Sequence, residues 1–314
     1  MNNDEKARHI AKCLQLAVLL EASANKPGNV NRANGFEGTR YEHFLASAVA
    51  IVSSFETAAK HGILVSDGNR SINEVELGVI IRDCVSNINT WQHGGNTLLG
   101  TSILLSPLAV SAGMAQTKDG TFEISELREN LKLVTESTTP EDAVKVYEAI
   151  RTANPGGLGK AANLDVNDPA SAAKIRRENV SLFQVFKLAA SYDMICSEWV
   201  NNYPITFDLA YPSLLKQLER GNELEKTIIS TFLCVLAEHP DTLIARKTST
   251  KKAREISSMT REILKLGIET SAGKEYLDRF DEKLRQSGNL LNPGTTADII
   301  AAALALCVLG GYRP

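Results

Sequence analysis

Apolar residues recur along most of this 314-residue chain at the spacing of one helix face, and strand-like alternation is scarce. The first apolar stripe predicts a helix from about Asp4 to Ala22, which Pro27 and Gly28 end. A second helix is predicted to begin near Thr39, and a third to cover Leu77 to Trp91. The pattern predicts an all-α fold: a single-domain multi-helix bundle over residues 1–314, with its site in the loops between helices.

Start and stop signals place the remaining helices. Thr97 is predicted to open a helix that Pro107 kinks or ends, because a mid-helix proline removes a backbone hydrogen bond. Thr139, Pro140 and Asp142 form a capping signal for the next helix. Later helices are predicted over 179–201, 212–220, 223–238, 249–267, 273–287 and 295–309. Residues 153–178 are the least regular stretch, which predicts either a long connection or a mobile lid.

Composition narrows the class of partner. The net charge of -3 shows no basic footprint, so a small-molecule ligand is favoured over nucleic acid. The polar N-terminus lacks the apolar core of a signal peptide, so we expect a cytoplasmic protein. The longest apolar run, Ile299 to Leu309, has about half the length needed to cross a bilayer and predicts a core helix, without a membrane partner. Five widely spaced cysteines predict buried thiols. The pattern specifies no oligomeric state.

Five segments between the predicted helices combine Gly or Pro with polar or charged residues that a core does not need. They are residues 25–32, 92–97, 154–160, 239–247 and 292–298. Two of them run into predicted helices through Gly95-Asn96-Thr97 and Gly294-Thr295-Thr296. A helix N-terminus of this kind presents free N–H groups to a phosphate. The alternative is that these residues are ordinary caps and turns.

Charged residues near these segments supply candidate chemistry. The cations that can hold a polyphosphate are Lys26, Arg32, Arg40, Arg246 and Lys247. The nearest acids, which can bind Mg²⁺ or act as a base, are Glu21, Glu37, Glu42, Asp83, Asp208, Asp241 and Asp298. His93, in a glycine loop, is the one histidine considered functional.

Several standard sites are excluded. Gly159-Lys160 lacks the upstream glycine and the preceding strand of a phosphate-binding P-loop. Gly157 and Gly159 do not complete a dinucleotide fingerprint. Pro240 separates His239 from Asp241, which argues against a helical His-Asp metal phosphohydrolase, and the other histidines lack metal-ligand spacing.

Four of the segments resemble, in order, motifs of the triphosphoribosyl-dephospho-CoA synthase family. The matching residues are Lys26-Pro27-Gly28 with Arg32, Gly94-Gly95-Asn96-Thr97 with Gly100, Asp241 to Arg246 of the sequence DTLIAR, and Pro293-Gly294-Thr295-Thr296-Ala297-Asp298. The resemblance implies an all-helical enzyme that uses ATP and Mg²⁺. It implies transfer of the 5-triphosphoribosyl group to the 2'-hydroxyl of 3'-dephospho-CoA, with release of adenine.

This chemistry is a displacement at an anomeric carbon, which needs a clamp for the triphosphate and stabilisation of oxocarbenium-like charge. The candidate catalytic carboxylates are Asp298, Glu37 and Asp241, and Asp298 is also the candidate metal ligand. The candidate nucleotide-binding residues are Lys26, Gly28, Asn31, Arg32, His93, Gly95, Asn96, Thr97, Arg246, Lys247, Gly294, Thr295 and Thr296.

The sequence departs from the family pattern at two places. Leu98-Leu99 stands where better-known members have His-Lys, and Asn31 precedes Arg32 where they have Asp. Loss of a polar partner typically shifts specificity. Two alternatives therefore stay open: a related ribosyl-phosphate transferase that acts on another cofactor precursor, such as a pterin, and a noncatalytic helical nucleotide-binding protein.

Overall fold

The computed structural model describes residues 1–314 and consists of helices without strands. The α-helices are α1 (Asn3–Ser23), α2 (Tyr41–Ala50), α3 (Val52–Ser66), α4 (Leu77–Trp91), α5 (Leu99–Met114), α6 (Ile124–Glu136), α7 (Pro140–Ala153), α8 (Pro169–Arg177), α9 (Leu182–Ala189), α10 (Met194–Val200), α11 (Tyr211–Glu219), α12 (Leu224–Glu238), α13 (Thr242–Lys247), α14 (Thr250–Leu266), α15 (Ser271–Arg285) and α16 (Gly294–Leu309). A 3₁₀ turn covers Ile72–Glu74, and a π-helix, Ile205–Ala210, leads into α11. The predicted all-α fold is confirmed.

Two helices, α5 and α16, form the centre of the bundle. Both are apolar on nearly every face and buried along almost their whole length, as expected for helices surrounded by others. α5 packs against α3, α6 and α16, while α16 also packs against α1 and α12. Their first turns lie side by side, since Gly100 contacts Asp298. The two central helices therefore begin at one point of the fold.

Pro107 does not end α5, which continues to Met114. A proline at this position removes the hydrogen bond that its N–H would donate to the carbonyl of Ile103. In the structure the indole Nε1 of Trp199 donates to that carbonyl at 3.1 Å. The buried acceptor therefore keeps a partner, which is what an interior helix requires.

The capping signal at Thr139 is confirmed. The Thr139 hydroxyl accepts from the Asp142 amide at 3.2 Å, and the Asp142 carboxylate accepts from the Thr139 amide at 2.7 Å. The other oxygen of Asp142 accepts from the Gly78 amide at 2.8 Å. One carboxylate thus caps α7 and fixes it to the start of α4.

Five helical assignments differ from the sequence prediction. The helix predicted from Thr39 is divided at Ile51, and the one predicted over 179–201 is divided where Asp193 caps α10. α8 lies in the stretch expected to be irregular, where Asp168 accepts from the Ala170 amide at 2.9 Å and Pro169 occupies the first turn. α6 and the six-residue α13 were not predicted. The six residues of α13 carry too few apolar repeats for periodicity to reveal them, whereas α6 has 13 residues and an apolar face at helical spacing that the sequence prediction missed.

One stretch, Tyr41–Ser66, has the length and composition of a membrane-spanning helix. Half of its apolar window is buried inside the bundle, and its two parts, α2 and α3, pack against α1, α4 and α5. Its apolar residues therefore belong to the protein core.

Candidate active site

Two adjoining pockets open where α5 and α16 begin. Both are lined by Asn96, Leu99, Gly100, Leu243 and Asp298. The apolar pocket, of about 130 Å³, adds Ile103, Ile150, Pro155, Leu158, Phe186, Asp193, Ile195, Cys196, Arg246 and Thr295. The asparagine pocket, of about 80 Å³, adds chiefly Asn29, Asn289 and Asn292 with Phe36, Phe44, Thr97 and Glu21. All five segments singled out in the sequence contribute lining residues.

Asp298 lies at the junction of the two pockets, one turn into α16. Its Oδ1 accepts from the Thr101 hydroxyl at 2.6 Å. Its Oδ2 is so close to Gly100 that a Cβ there would approach it to 2.1 Å. The carboxyl group is enclosed by protein except where it faces the pockets. Desolvation raises the pKa of Asp298 to about 8, helped by the negative charges of Glu21 and Asp241 and opposed by Thr101.

Lys26 is turned inward, away from any ligand. Its side chain is 0% exposed, and its Nζ lies 2.9 Å from Oε1 of Glu21. The ammonium donates to the carbonyls of Glu21 and Ala24, so Oε1 has an ionic partner but no aligned hydrogen bond. Glu21 itself lines the asparagine pocket. Lys26 and Glu21 thus form a buried ion pair in which Glu21, and not Lys26, lines the pocket. Burial raises the pKa of Glu21, although the ammonium group of Lys26 opposes this shift.

Asp241 joins two helices. Its Oδ1 accepts from the amides of Leu243 and Ile244 at 2.9 and 3.1 Å, which caps α13. Its Oδ2 accepts from the amide and hydroxyl of Thr296 at 2.7 and 2.8 Å, which caps α16. The side chain is 0% exposed and lines neither pocket. Asp241 therefore holds α13 against α16 rather than facing a ligand, and Thr296 is committed to it.

The first turns of α5 and α16 are closed by the chain's own oxygens. The Leu99 amide donates to Oδ1 of Asn96 at 3.2 Å, and Thr101 binds Asp298. The Thr296 amide donates to Asp241. One amide at each N-terminus, that of Leu99 or Thr296, is therefore already bonded to a side chain of the protein.

Arg246 and Lys247 extend from α13 into the cleft. One guanidinium nitrogen of Arg246 pairs with Asp193, whose other oxygen accepts from the Cys196 amide at 3.1 Å. Nε of Arg246 is buried without a hydrogen-bond partner. Lys247 donates to the carbonyl and side-chain oxygens of Asn289 at 2.9 and 3.2 Å. Sequence reasoning missed Asp193, because a cap between two apolar segments carries no functional signature.

The other candidate residues divide into two groups. Gly294, Thr295, Asn96 and Thr97 line the pockets, and Thr97 contacts the Ser47 hydroxyl at 2.7 Å. Residues that line neither pocket are Gly28, Asn31, Arg32, Glu37, His93 and Gly95.

The residues outside the pockets have local roles or face solvent. The Gly28 amide donates to Asp281 at 2.7 Å, and a Cβ on Gly28 would lie 2.5 Å from Leu284. The Asn31 side chain closes a turn by accepting from the amides of Ala33 and Asn34. Arg32 pairs with Glu225 at 3.2 Å on the surface. Glu37, His93 and Gly95 are exposed. The structure does not bring these residues to Asp298.

Leu98 and Leu99, where the sequence departs from the family pattern, lie on the pocket wall. Leu99 lines both pockets and Leu98 lines the asparagine pocket. Residues from α9 and α10 that the sequence did not reveal, Phe186, Ile195 and Cys196, complete the apolar wall. They are indistinguishable from core residues in the sequence because their side chains face inward in either case.

The carboxylates near the cleft are bonded within the chain. No three His, Cys, Asp or Glu side chains come together in a group that could hold a metal ion. Glu21 is paired with Lys26, and Asp241 is occupied by four donors. Asp298 is bonded to Thr101 through one oxygen. Asp298 as a metal ligand therefore stays a prediction, since Mg²⁺ can be held by a single protein carboxylate together with substrate phosphates.

Comparisons with known proteins agree with the sequence motifs. The family model described as ATP:dephospho-CoA triphosphoribosyl transferase matches residues 7–314. A curated protein of Malonomonas rubra, named "Probable 2-(5''-triphosphoribosyl)-3'-dephosphocoenzyme-A synthase", is 24% identical over 312 residues, which cover 98% of this chain and 89% of that protein. The fold is similar to the crystal structure of a "putative triphosphoribosyl-dephospho-coA synthase" from Archaeoglobus fulgidus, with a TM-score of 0.61 and 21% identity over 86% of this chain and 100% of that one.

Proposed function

Because the chain belongs to the ATP:dephospho-CoA triphosphoribosyl transferase family, we propose that it transfers the 5-triphosphoribosyl group of ATP to the 2'-hydroxyl of 3'-dephospho-CoA and releases adenine. The chain is an enzyme of the transferase class. The observation that carries the proposal is the position of Asp298 at the junction of two pockets. The carboxyl group of Asp298 can therefore contact a ligand bound in either pocket.

The asparagine pocket suits the base of ATP. Asn29, Asn96, Asn289 and Asn292 line it, and an amide side chain can both donate to and accept from the edge of adenine. Phe36 on the same wall offers an aromatic surface for the ring. Because Asp298 lines the same pocket, we propose that the anomeric carbon of an ATP bound there faces its carboxyl group.

Asp298 is our candidate for the proton donor. In the reaction the bond from C1' to N9 of adenine breaks, and a bond from C1' to the acceptor oxygen forms. Adenine leaves with the electron pair and takes up one proton, while the hydroxyl gives up one proton. A carboxylic acid that donates the first proton and accepts the second closes this balance. Asp298 fits because its raised pKa keeps it largely protonated near neutral pH.

Mg²⁺ is proposed to enter with the triphosphate, whose oxygens are its preferred ligands. When bound, the ion would neutralise phosphate charge, and no residue of the chain is assigned to it. The apolar pocket is left for the acceptor. Leu99 on its wall supports the alternative that the acceptor is a different cofactor precursor, because the apolar side chain offers no polar contact there.

Product analysis tests the proposal. Incubation of the enzyme with MgATP and 3'-dephospho-CoA should yield adenine and a triphosphoribosylated product in equal amounts, measured by chromatography and mass spectrometry. Asp298→Asn should lose most turnover while it retains ATP binding, since the amide is isosteric but cannot donate an acidic proton. Stoichiometric ADP or pyrophosphate would contradict the glycosyl transfer. Adenine release only with another acceptor would support the alternative substrate.

A further inference from the structure

A third recess adjoins the two pockets, and the proposed reaction leaves it without a role. The glycine recess has a volume of about 340 Å³ and is lined by Gly156, Gly157, Arg246, Lys247, Asn289 and Leu290. It shares Arg246 with the apolar pocket and Asn289 with the asparagine pocket. The recess therefore borders both pockets of the cleft.

The charge of the recess is positive. None of its six lining residues is acidic, and two are cations. Asp193 pairs with one terminal nitrogen of Arg246, and the other terminal nitrogen makes no hydrogen bond within the chain. Lys247 uses two hydrogen bonds on Asn289, and an ammonium group has three protons to donate. Both cations thus keep donors for an anion. No cation lines the asparagine pocket, so the recess is the cationic part of the cleft.

Glycines form the opposite wall. The amides of Gly156 and Gly157 donate to no other backbone group. Gly157 has a φ of +77°, and a Cβ on it would lie 3.1 Å from the backbone N and the Cγ of Lys247. A side chain at this position would therefore press against the lysine. Free amides beside cations form a phosphate-binding arrangement.

At the two helix N-termini, the other candidate phosphate positions, some of the donors are already bonded to side chains. Asp241 holds the first turn of α16, and Asn96 with Asp298 holds that of α5. Either N-terminus would bring a phosphate against a carboxyl group of the chain. No residue that lines the glycine recess is acidic, and the carboxylate of Asp193 is engaged by one nitrogen of Arg246.

We infer that the glycine recess, with Arg246, Lys247 and the amides of Gly156 and Gly157, binds the triphosphate of ATP. This inference rests on the proposed function only for the identity of the nucleotide. The acceptor in that proposal, 3'-dephospho-CoA, also carries phosphates, so the experiment must separate the two sources.

Calorimetry with inorganic tripolyphosphate, MgATP and adenosine tests the site without turnover. Lys247→Met should weaken binding of tripolyphosphate and MgATP roughly tenfold or more and leave adenosine binding unchanged, because a charge-assisted hydrogen bond is lost. Lys174→Met, which removes a lysine outside the recess, is the matched control and should change neither. Equal binding of tripolyphosphate by wild type and Lys247→Met would overturn the inference.

A glycine pair isolates the shape of the recess. Gly157→Ala and Gly159→Ala carry similar backbone strain, since their φ values are +77° and +64°, but a Cβ on Gly159 meets nothing within 4 Å. Only Gly157→Ala should weaken tripolyphosphate binding. If both variants weakened tripolyphosphate binding equally, backbone strain would explain the loss, and the proposed role of Gly157 would be wrong.

Steady-state kinetics distinguishes the two sources of phosphate. With Lys247→Met, a rise in KM for ATP alone supports the inference, and a rise in KM for the acceptor alone overturns it. The protein could bind tripolyphosphate through Lys247 and yet never release adenine. That result would support the recess as a phosphate site and reject the proposed function.

Discussion

The carboxyl group of Asp298 occupies the space that a side chain at Gly100 would fill, with only 2.1 Å between Oδ2 and an ideal Cβ. The two residues begin the two central helices of the fold. Asp298 can occupy its observed position only because residue 100 has no side chain.

Gly100→Ala should therefore displace Asp298 and reduce adenine release at least tenfold, while the helical circular dichroism is retained. The backbone at Gly100 does not lie in the left-handed region, so alanine by itself adds no strain there. The control is the same substitution in an Asp298→Ala background. There the clash is gone, and alanine should leave stability unchanged or raise it by up to about 1 kcal/mol through helix propensity. Equal destabilisation in both backgrounds would contradict the contact.

The pH dependence of turnover follows from the raised pKa of Asp298. As proton donor, Asp298 acts in its acid form, so kcat should fall as pH rises through about 8. The groups that face it are Glu21, paired with Lys26, and Asp241. Arg246, paired with Asp193, shares the apolar pocket with it. Glu21→Gln removes one of the charges that raise the pKa, so it should move this limb of the profile to lower pH. A flat kcat between pH 6 and 9 would reject Asp298 as the acid.

Stability should depend on the same carboxyl group. Because its pKa is higher in the folded than in the unfolded state, its contribution is fully present below pH about 3.8 and is lost as pH rises to about 8. Asp298→Asn cannot lose a proton. Its free energy of unfolding should therefore rise relative to wild type as pH increases through this range, by up to about 1.4 kcal/mol per pH unit. Urea denaturation at pH 5 and pH 8 measures the difference.

The sequence indicates much of the fold because periodicity and caps are local signals. The bounds of α4 and the Thr139 cap agree with the prediction, and so does the apolar character of α16. The length of α5 was not evident, because the donor that compensates for Pro107 is Trp199, 92 residues further along the chain. A long-range partner of this kind leaves no trace in the local pattern.

The sequence predicts which segments form the site, but it does not predict which of their side chains face the ligand. All five segments singled out in the sequence reach the cleft, since polar turns have few uses in a helical core. Which side chain faces the ligand depends on local turns: Lys26 is turned to Glu21, and Asp241 to Thr296. Composition alone does not distinguish a carboxylate that caps a helix from one that faces a ligand.

Asp241→Asn should destabilise the protein, because Asp241 accepts four hydrogen bonds in a fully buried position. Asparagine keeps one acceptor oxygen and turns its NH₂ group toward the donors of Thr296. We expect a loss of about 1–3 kcal/mol, measured by thermal or chemical denaturation. Asp208→Asn, which removes an exposed partner of Arg128, is the control and should cost about 1 kcal/mol or less. A stable Asp241→Asn variant with reduced turnover would favour a catalytic role instead.

Trp199→Phe should also destabilise the fold, by about 1–3 kcal/mol, because the carbonyl of Ile103 loses its only donor. Adding Pro107→Ala should recover part of the loss, since alanine restores the backbone N–H that proline lacks. Pro107→Ala alone, with Trp199 in place, should give a smaller gain. Additive effects of the two substitutions would show that the indole and the proline are not coupled.

Arg246→Ala should weaken MgATP binding by about 1.5–3 kcal/mol, the range for a hydrogen bond to a charged group. Arg246→Lys should also weaken it, because lysine keeps the charge but loses the planar fork whose Nε lies buried without an acceptor. Arg128→Ala is a matched control. Arg128 is also paired with an aspartate, and its side chain is 30% exposed compared with 25% for Arg246, but it lies outside the cleft. Loss of an arginine–aspartate pair is therefore common to both variants, and calorimetry should show weaker MgATP binding only for Arg246. Equal affinities of wild type, Arg246→Ala and Arg128→Ala would mean that Arg246 serves only to hold Asp193.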